Sequence, residues 1–387
     1  MKKRKKMRKV SFKPDEYFQM GSIEMARFGN VISLRNNMTE AGHKELLNKL
    51  VQSHEQKRKE IDELIVEIRE LVLNCYPLSL LCYAYQNFFL SMINSTSEVQ
   101  LSHDDVLAGR ELEYILSVIA STQIEKLSEH ENDPTDAFLL ISEKIHKLYS
   151  LVQQYFIYFI ANERANAGID EELAEFIFEA QVSRFYRGER YSVYEIDHLK
   201  EFCSPHNDVF MKLFNISIND FLDGLNKIRL SLTVGIREAL SCLEKAMTEY
   251  ERIISERRED DNSLSKILEE NRDLKDYADK GMGMLFGNDL FNLSKLTSWP
   301  LDFLKKLSWT IGECDWFFGR PLYPGWPTVE MPISKKPFIC INGQYYCFDY
   351  YNLFDNIYRT LEKLIMTEEP SYRAICGFVN AKVDHLC

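Results

Sequence analysis

From Thr39 onward the apolar residues recur at three- and four-residue spacing, and most of the chain reads as helix. Leu46, Leu47, Leu50, Val51, Ile61, Leu64, Ile65, Ile68, Leu71 and Val72 mark the first helix, opened by a Thr39 cap and closed before Pro77. Its middle, His54 to Glu60, is almost wholly polar, so the pattern predicts a helix that is either long and projecting or broken in two. Further helices are predicted over Leu78 to Ile93, over Asp104 to Lys126, and from Pro134 past Ile160, where Asp133-Pro134 supplies a cap and a first-turn proline. Glu171 to Ser183 adds one more, with Leu173, Phe176, Ile177 and Ala180 on one face. The pattern then changes: Phe185 to Tyr194 carries strand-type residues around Gly188-Glu189, which predicts a short β excursion near 185–194. Helices resume at Ser204-Pro205 and at Ser217-Ile218-Asn219-Asp220, a capping box with Asp in place of Glu. From Ile218 the apolar period runs through Leu225, Ile228, Leu232, Ile236, Leu240, Leu243, Met247, Tyr250 and Ile254, far beyond the roughly 8–20 residues of an ordinary globular helix. The charged, capless run Glu256 to Ser263 reads as a tip, with Leu264 to Ala278 as the returning helix. A long helical hairpin over 218–278 is therefore expected. Residues 1–38 show no sustained period and are expected to dock loosely.

The C-terminal part has a different grammar. Asn342-Gly343 separates two apolar, strand-type runs and predicts a type I′ hairpin, because both central residues of that turn need positive φ. The register pairs Cys340 with Tyr345 and Phe338 with Cys347. Asp349 caps a following helix whose buried stripe is Tyr350, Phe354, Ile357, Leu361, Leu364 and Ile365, with an Asp355–Arg359 pair on the wet side. A lone two-stranded hairpin is marginal and leaves both edges open, so this one must pack on the rest or await partner strands. All four tryptophans fall between Trp299 and Trp326, among prolines that forbid helix, and read as core that cements the helical region to the hairpin. The expected fold class is mainly α: a multi-helix region with a long helical hairpin, plus a small C-terminal β-hairpin/helix (α+β) element. The expected division is a tail and N-terminal segment (1–38), a helical region (39–298) and a Trp-rich connector with the hairpin and helix (299–387). The last reads as the truncated start of a further domain.

Charge refines this picture. The formal charge is −12, yet Lys2, Lys3, Arg4, Lys5, Lys6, Arg8 and Lys9 are all cationic; these seven of the 47 basic residues leave 40 against 59 acidic ones. So acidic a body does not indicate a broad nucleic-acid face, since phosphate contacts need clustered Lys and Arg. The tail reads as a solvated, disordered terminus, with a nucleic-acid arm or a contact to anionic lipid as the alternative. It leads into Ser11-Phe12-Lys13-Pro14-Asp15 and not into an apolar run, unlike a secretory signal. The nine cysteines include no Cys-x-x-Cys pair and read as free thiols of a cytoplasmic protein. Cys75 to Ile93 has no formal charge, but Pro77, Gln86 and Asn87 and its tyrosines mark it as a buried helix and not a membrane span.

Candidate chemistry is sparse. His198 and His206, with Glu195, Asp197 and Asp208, form the one histidine–carboxylate cluster dense enough to suggest a metal or general-acid site. No helix spacing aligns the two histidines, and caps and surface polar groups account for most of it; His206, Asp208 and His198 are the catalytic candidates. Cys203 lies between them without a strand–helix elbow. Gly281-Met282-Gly283-Met284-Leu285-Phe286-Gly287 is one residue too long for G-x-G-x-x-G and lacks a P-loop lysine, so it reads as a glycine-rich helix end. No cofactor or metal is expected.

Arg190 through Leu225, with Ser204-Pro205-His206-Asn207-Asp208 and Leu213-Phe214-Asn215-Ile216-Ser217, and Lys336 through Ile365, with Phe338-Ile339-Cys340-Ile341-Asn342-Gly343 and Tyr346-Cys347-Phe348-Asp349, carry a resemblance. Together they resemble the helical N-terminal region of large uncharacterised bacterial proteins that carry a restriction-endonuclease-like, PD-(D/E)xK, domain downstream. The resemblance implies chemistry in a later sheet, with an Asp and a Glu-x-Lys that bind Mg²⁺ beside the scissile phosphate. Val379-Asn380-Ala381-Lys382-Val383-Asp384-His385 does not reproduce that strand, so no catalytic residue transfers. The expected function is a non-catalytic interaction or regulatory region of a bacterial nuclease-like protein, with defence association as the narrower reading, whose partner is another protein or the missing nuclease domain. The alternatives are an enzyme of unrecognised class built on the His198/His206/carboxylate cluster, and a structural helical adaptor with coiled-coil character.

Overall fold

The computed structural model describes residues 16–20, 23–28, 31–36, 39–94, 103–123, 134–166, 189–256, 264–286, 289–319 and 331–368. The basic tail, the predicted helix over 171–183, Trp326 and the segment 379–385 lie outside them. Among the described residues the protein is mainly α-helical, with two small three-stranded sheets.

The first sheet corrects the expectation of a patternless N-terminus. Strands β1 (Glu16–Met20), β2 (Ile23–Phe28) and β3 (Val31–Asn36) form an antiparallel meander that sets Phe18 opposite Met25 and Met25 opposite Leu34. The signal was present in the sequence: apolar residues alternate at 18, 20, 23, 25 and at 32, 34, and Gly21-Ser22 and Gly29-Asn30 are dipeptides of turn-forming composition. Three short strands in succession were too brief for a helical period to register.

Helix α1 (Glu40–Leu73) begins where Thr39 Oγ1 accepts from Gly42 N at 3.2 Å. It is unbroken, and its polar middle is accounted for by a partner. Helix α4 (Thr135–Asn166) lies along it, and the Tyr155 hydroxyl meets Nε2 of His54, a buried histidine at the start of that polar stretch. Between these two in sequence come α2 (Pro77–Asn94) and α3 (His103–Ala120). Every residue from Leu107 to Thr122 is buried, so α3 is the axis of the main core. No helix among the described residues is long and apolar enough to cross a membrane.

Of the β excursion expected near 185–194, residues 185–188 lie outside the described residues, and 189–194 are not strand but belong to helix α5 (Glu189–Cys203). Ser192, Glu195 and Leu199 repeat at helical spacing and are buried, while Val193 and Tyr194 face outward. The strand propensity of Tyr191, Val193 and Tyr194 is overridden because only a helix puts Ser192, Glu195 and Leu199 on one buried face; in a strand Ser192 and Glu195 would point to opposite sides. Next come a 3-10 turn (Ser204–His206), α6 (Asn207–Phe214) and α7 (Ile218–Leu230), whose Ser217 cap accepts from Asp220 N at 3.1 Å.

The long helix predicted from Ile218 is continuous to Glu256, but through a π-helical turn, Ser231–Gly235, that leads into α8 (Ile236–Glu256). Such a turn loosens the backbone ladder, and the rest of the fold closes it. The buried Tyr85 hydroxyl donates to Leu232 O at 2.6 Å, and Ser231 Oγ donates to Leu290 O at 2.9 Å. The chain returns as α9 (Leu264–Glu270) and α10 (Arg272–Phe286), so the helical hairpin extends eight residues beyond the predicted Ala278. Gly281 lies inside α10 and lets it approach α8: a Cβ there would stand 2.7 Å from Leu243 Cγ. The start of α8 belongs to the main core through Ile236 and Ala239, whereas Ala246, Ile253, Ile267 and Leu274 form a separate small core farther along. The outer half of the hairpin is an arm.

Short helices α11 (Leu293–Leu296) and α12 (Leu301–Lys306) lead to the second sheet: β4 (Ser308–Thr310), β5 (Phe338–Ile341) and β6 (Gln344–Tyr346). Asn342 and Gly343 have φ of 52° and 73°, as the type I′ turn requires, and Cys340 pairs with Tyr345. The open edges are resolved within the chain. Strand β4, from the Trp-rich segment, pairs parallel with β5, and Asn292 bridges to Tyr346 on the far side of β6. The ladder ends at Ile339–Tyr346 and does not include the expected Phe338–Cys347 pair; the Cys347 N–H donates to Phe291 O at 3.0 Å on the opposite edge of β6. Asp349 then caps α13 (Tyr350–Glu368), accepting from Asn352 N at 2.9 Å.

Trp299 is the keystone between helices and sheet. It is 5% exposed, donates from Nε1 to Asp220 O at 3.1 Å, and meets the rings of Phe221, Phe303 and Phe338. Trp309 and Trp316 are half-buried, with Lys336 and Lys335 over their faces at 4.2 and 4.3 Å.

Candidate functional site

The histidine–carboxylate cluster predicted from sequence is dispersed over three successive elements. His198 is half-buried on α5, where its ring stacks on Tyr194 with centroids 5.9 Å apart. Glu195, one turn away, faces the interior, and Asp197 faces solvent. His206 ends the 3-10 turn, and its side chain lies outside the described residues. Asp208 is exposed in the first turn of α6, where its charge suits the helix N-terminus. Cys203 is an unsuitable nucleophile: burial, and secondarily the charge of Glu195, push its thiol up to about 11, away from the thiolate form that reacts.

The ionic groups the sequence reading missed are on α3. Arg110, Glu111 and Glu113 are each 1% exposed. Arg110 Nη1 reaches Glu113 Oε2 at 3.1 Å, while Arg110 Nε finds no acceptor, a cost the surrounding core must offset. Glu111 draws on two other helices: Asn87 Nδ2 of α2 donates to Oε2 at 3.2 Å, and Ser142 Oγ of α4 donates to Oε1 at 2.5 Å. His146 Nε2, one turn further along α4, sits beside the same Oε1. Serine, histidine and glutamate therefore meet, but in the wrong order for nucleophilic catalysis. The hydroxyl donates to the carboxylate and not to the imidazole, so the histidine is not placed to take its proton as in a nucleophilic triad. The arrangement ties α2, α3 and α4 around one buried anion. The hint in sequence was three charged residues within four positions inside an otherwise apolar helix; composition could not say that all three turn inward.

The described cysteines, Cys75, Cys82, Cys203, Cys242, Cys314, Cys340 and Cys347, form no disulfide with one another. Burial pushes the Cys314 thiol up to about 12 and Cys347 well above its ordinary value. Among the described residues no group of three or more His, Cys, Asp and Glu side chains is arranged to hold a metal ion.

Open grooves lie elsewhere. One of about 370 Å³ runs between α5 and α7, lined by the apolar Val193, Ile196 and Leu222 and by the charged Asp197, Lys200 and Asp223. Another, of about 360 Å³, follows the arm between α8 and α10 past Glu244, Lys245, Thr248 and Tyr277. The arm also exposes Met247 and Met282 and is braced by Lys280 against Glu238 Oε1 at 2.7 Å. No protein-family model, no curated protein and no solved structure matches the chain.

Proposed function

We propose that this chain is a non-catalytic interaction or regulatory region of a bacterial nuclease-like protein, and that it engages a protein partner through the α8/α10 arm. The observation that carries the reading is the arm itself. It stands on its own small core, leaves Met247 64% exposed, has a polar groove along one side, and carries Met282, 48% exposed, near its base. Methionine is unbranched and polarizable, and surfaces that carry it adapt to a docking helix or loop. The nuclease association rests on the sequence resemblance, and a cytoplasmic location on the free cysteines.

The test has two parts. Purified protein is incubated with single- and double-stranded DNA and RNA in Mg²⁺ or Mn²⁺, and every substrate is expected to stay intact; cleavage that disappears in His198→Ala would make the chain an enzyme. In-cell cross-linking through amines is then expected to join Lys245 and Lys275, both exposed on the arm, to a protein with a nuclease domain. Cross-links that form elsewhere on the chain and never on the arm would refute the proposed surface.

A further inference from the structure

We draw no further inference here: the strongest candidate, the groove between α5 and α7 to which each helix contributes positions i, i+3, i+4 and i+7 (193, 196, 197 and 200; 219, 222, 223 and 226), has the spacing of a seat for a third helix, but its lining mixes Asp197 and Asp223 with Lys200, and nothing in the structure shows what covers it.

Discussion

Substituting Gly224 by alanine tests the packing around Trp299, because it reverses the sign expected of a helix. In an exposed helix interior, Gly→Ala stabilises by about 1 kcal/mol through backbone entropy. At Gly224 the added Cβ would lie 2.1 Å from Trp299 Nε1 and 2.3 Å from Cε2. The indole cannot easily withdraw, since it is hydrogen-bonded to Asp220 O and enclosed by Phe221, Phe303 and Phe338. Overpacking costs about 1–3 kcal/mol. Loss of the indole hydrogen bond adds about 1 kcal/mol, which roughly offsets the propensity gain, so Gly224→Ala should destabilise by about 1–3 kcal/mol. Gly283 in α10 is the control, because a Cβ there meets nothing within 4 Å; Gly283→Ala should be neutral or stabilising. Urea unfolding followed by far-UV circular dichroism measures both. In a Trp299→Leu background, with the indole gone, adding Gly224→Ala should cost little, and the cycle isolates the contact. Gly224→Ala as stable as the parent would show that the indole does not occupy this position.

Gly343→Val places a β-branched residue at φ 73° with open space around it, so conformational strain alone of about 1–2 kcal/mol is expected; hydrogen exchange across 338–346 should accelerate, and unchanged protection would rule out the type I′ turn. Glu113→Ala leaves the Arg110 guanidinium buried without its carboxylate and should destabilise by about 3–5 kcal/mol, whereas Arg110→Met with Glu113→Leu should recover most of that; equal losses in both variants would show that the pair is not the cause. A hydrogen bond from Lys280, and then its charge, hold Glu238 below its ordinary 4.5, and the same contact raises Lys280 above 10.5. The brace is therefore complete between those values and is lost as pH falls through the lowered carboxyl value or rises through the raised amine value. Proteolysis of the arm should increase below about pH 4, with a shallower acid limb in Glu238→Gln; identical acid limbs would mean that the contact does not hold the arm.

The features legible in the sequence are those settled within a few residues. Thr39, Ser217 and Asp349 cap helices because each side-chain oxygen reaches an N–H two or three positions on, wherever the helix ends up. Asn342-Gly343 turns the chain because those residues tolerate positive φ, and the Cys340–Tyr345 register follows from a two-residue loop. Tertiary structure decided the rest. Residues 189–194 favour a strand by propensity, yet they are helical because one buried face must present Ser192, Glu195 and Leu199, which a strand would split between its two sides. Strand β4 pairs with β5 only once the tryptophan segment packs on the helices, so the hairpin's missing neighbour was present but invisible to local pattern. The π turn at Ser231–Gly235 is closed by the Tyr85 hydroxyl, 147 residues away, and Glu111 is held by side chains from α2 and α4. The physical reason is common to all of these: caps and turns satisfy hydrogen bonds within one stretch of backbone, whereas the cost of burying a charge or freeing a carbonyl is set by groups that only the folded chain brings near.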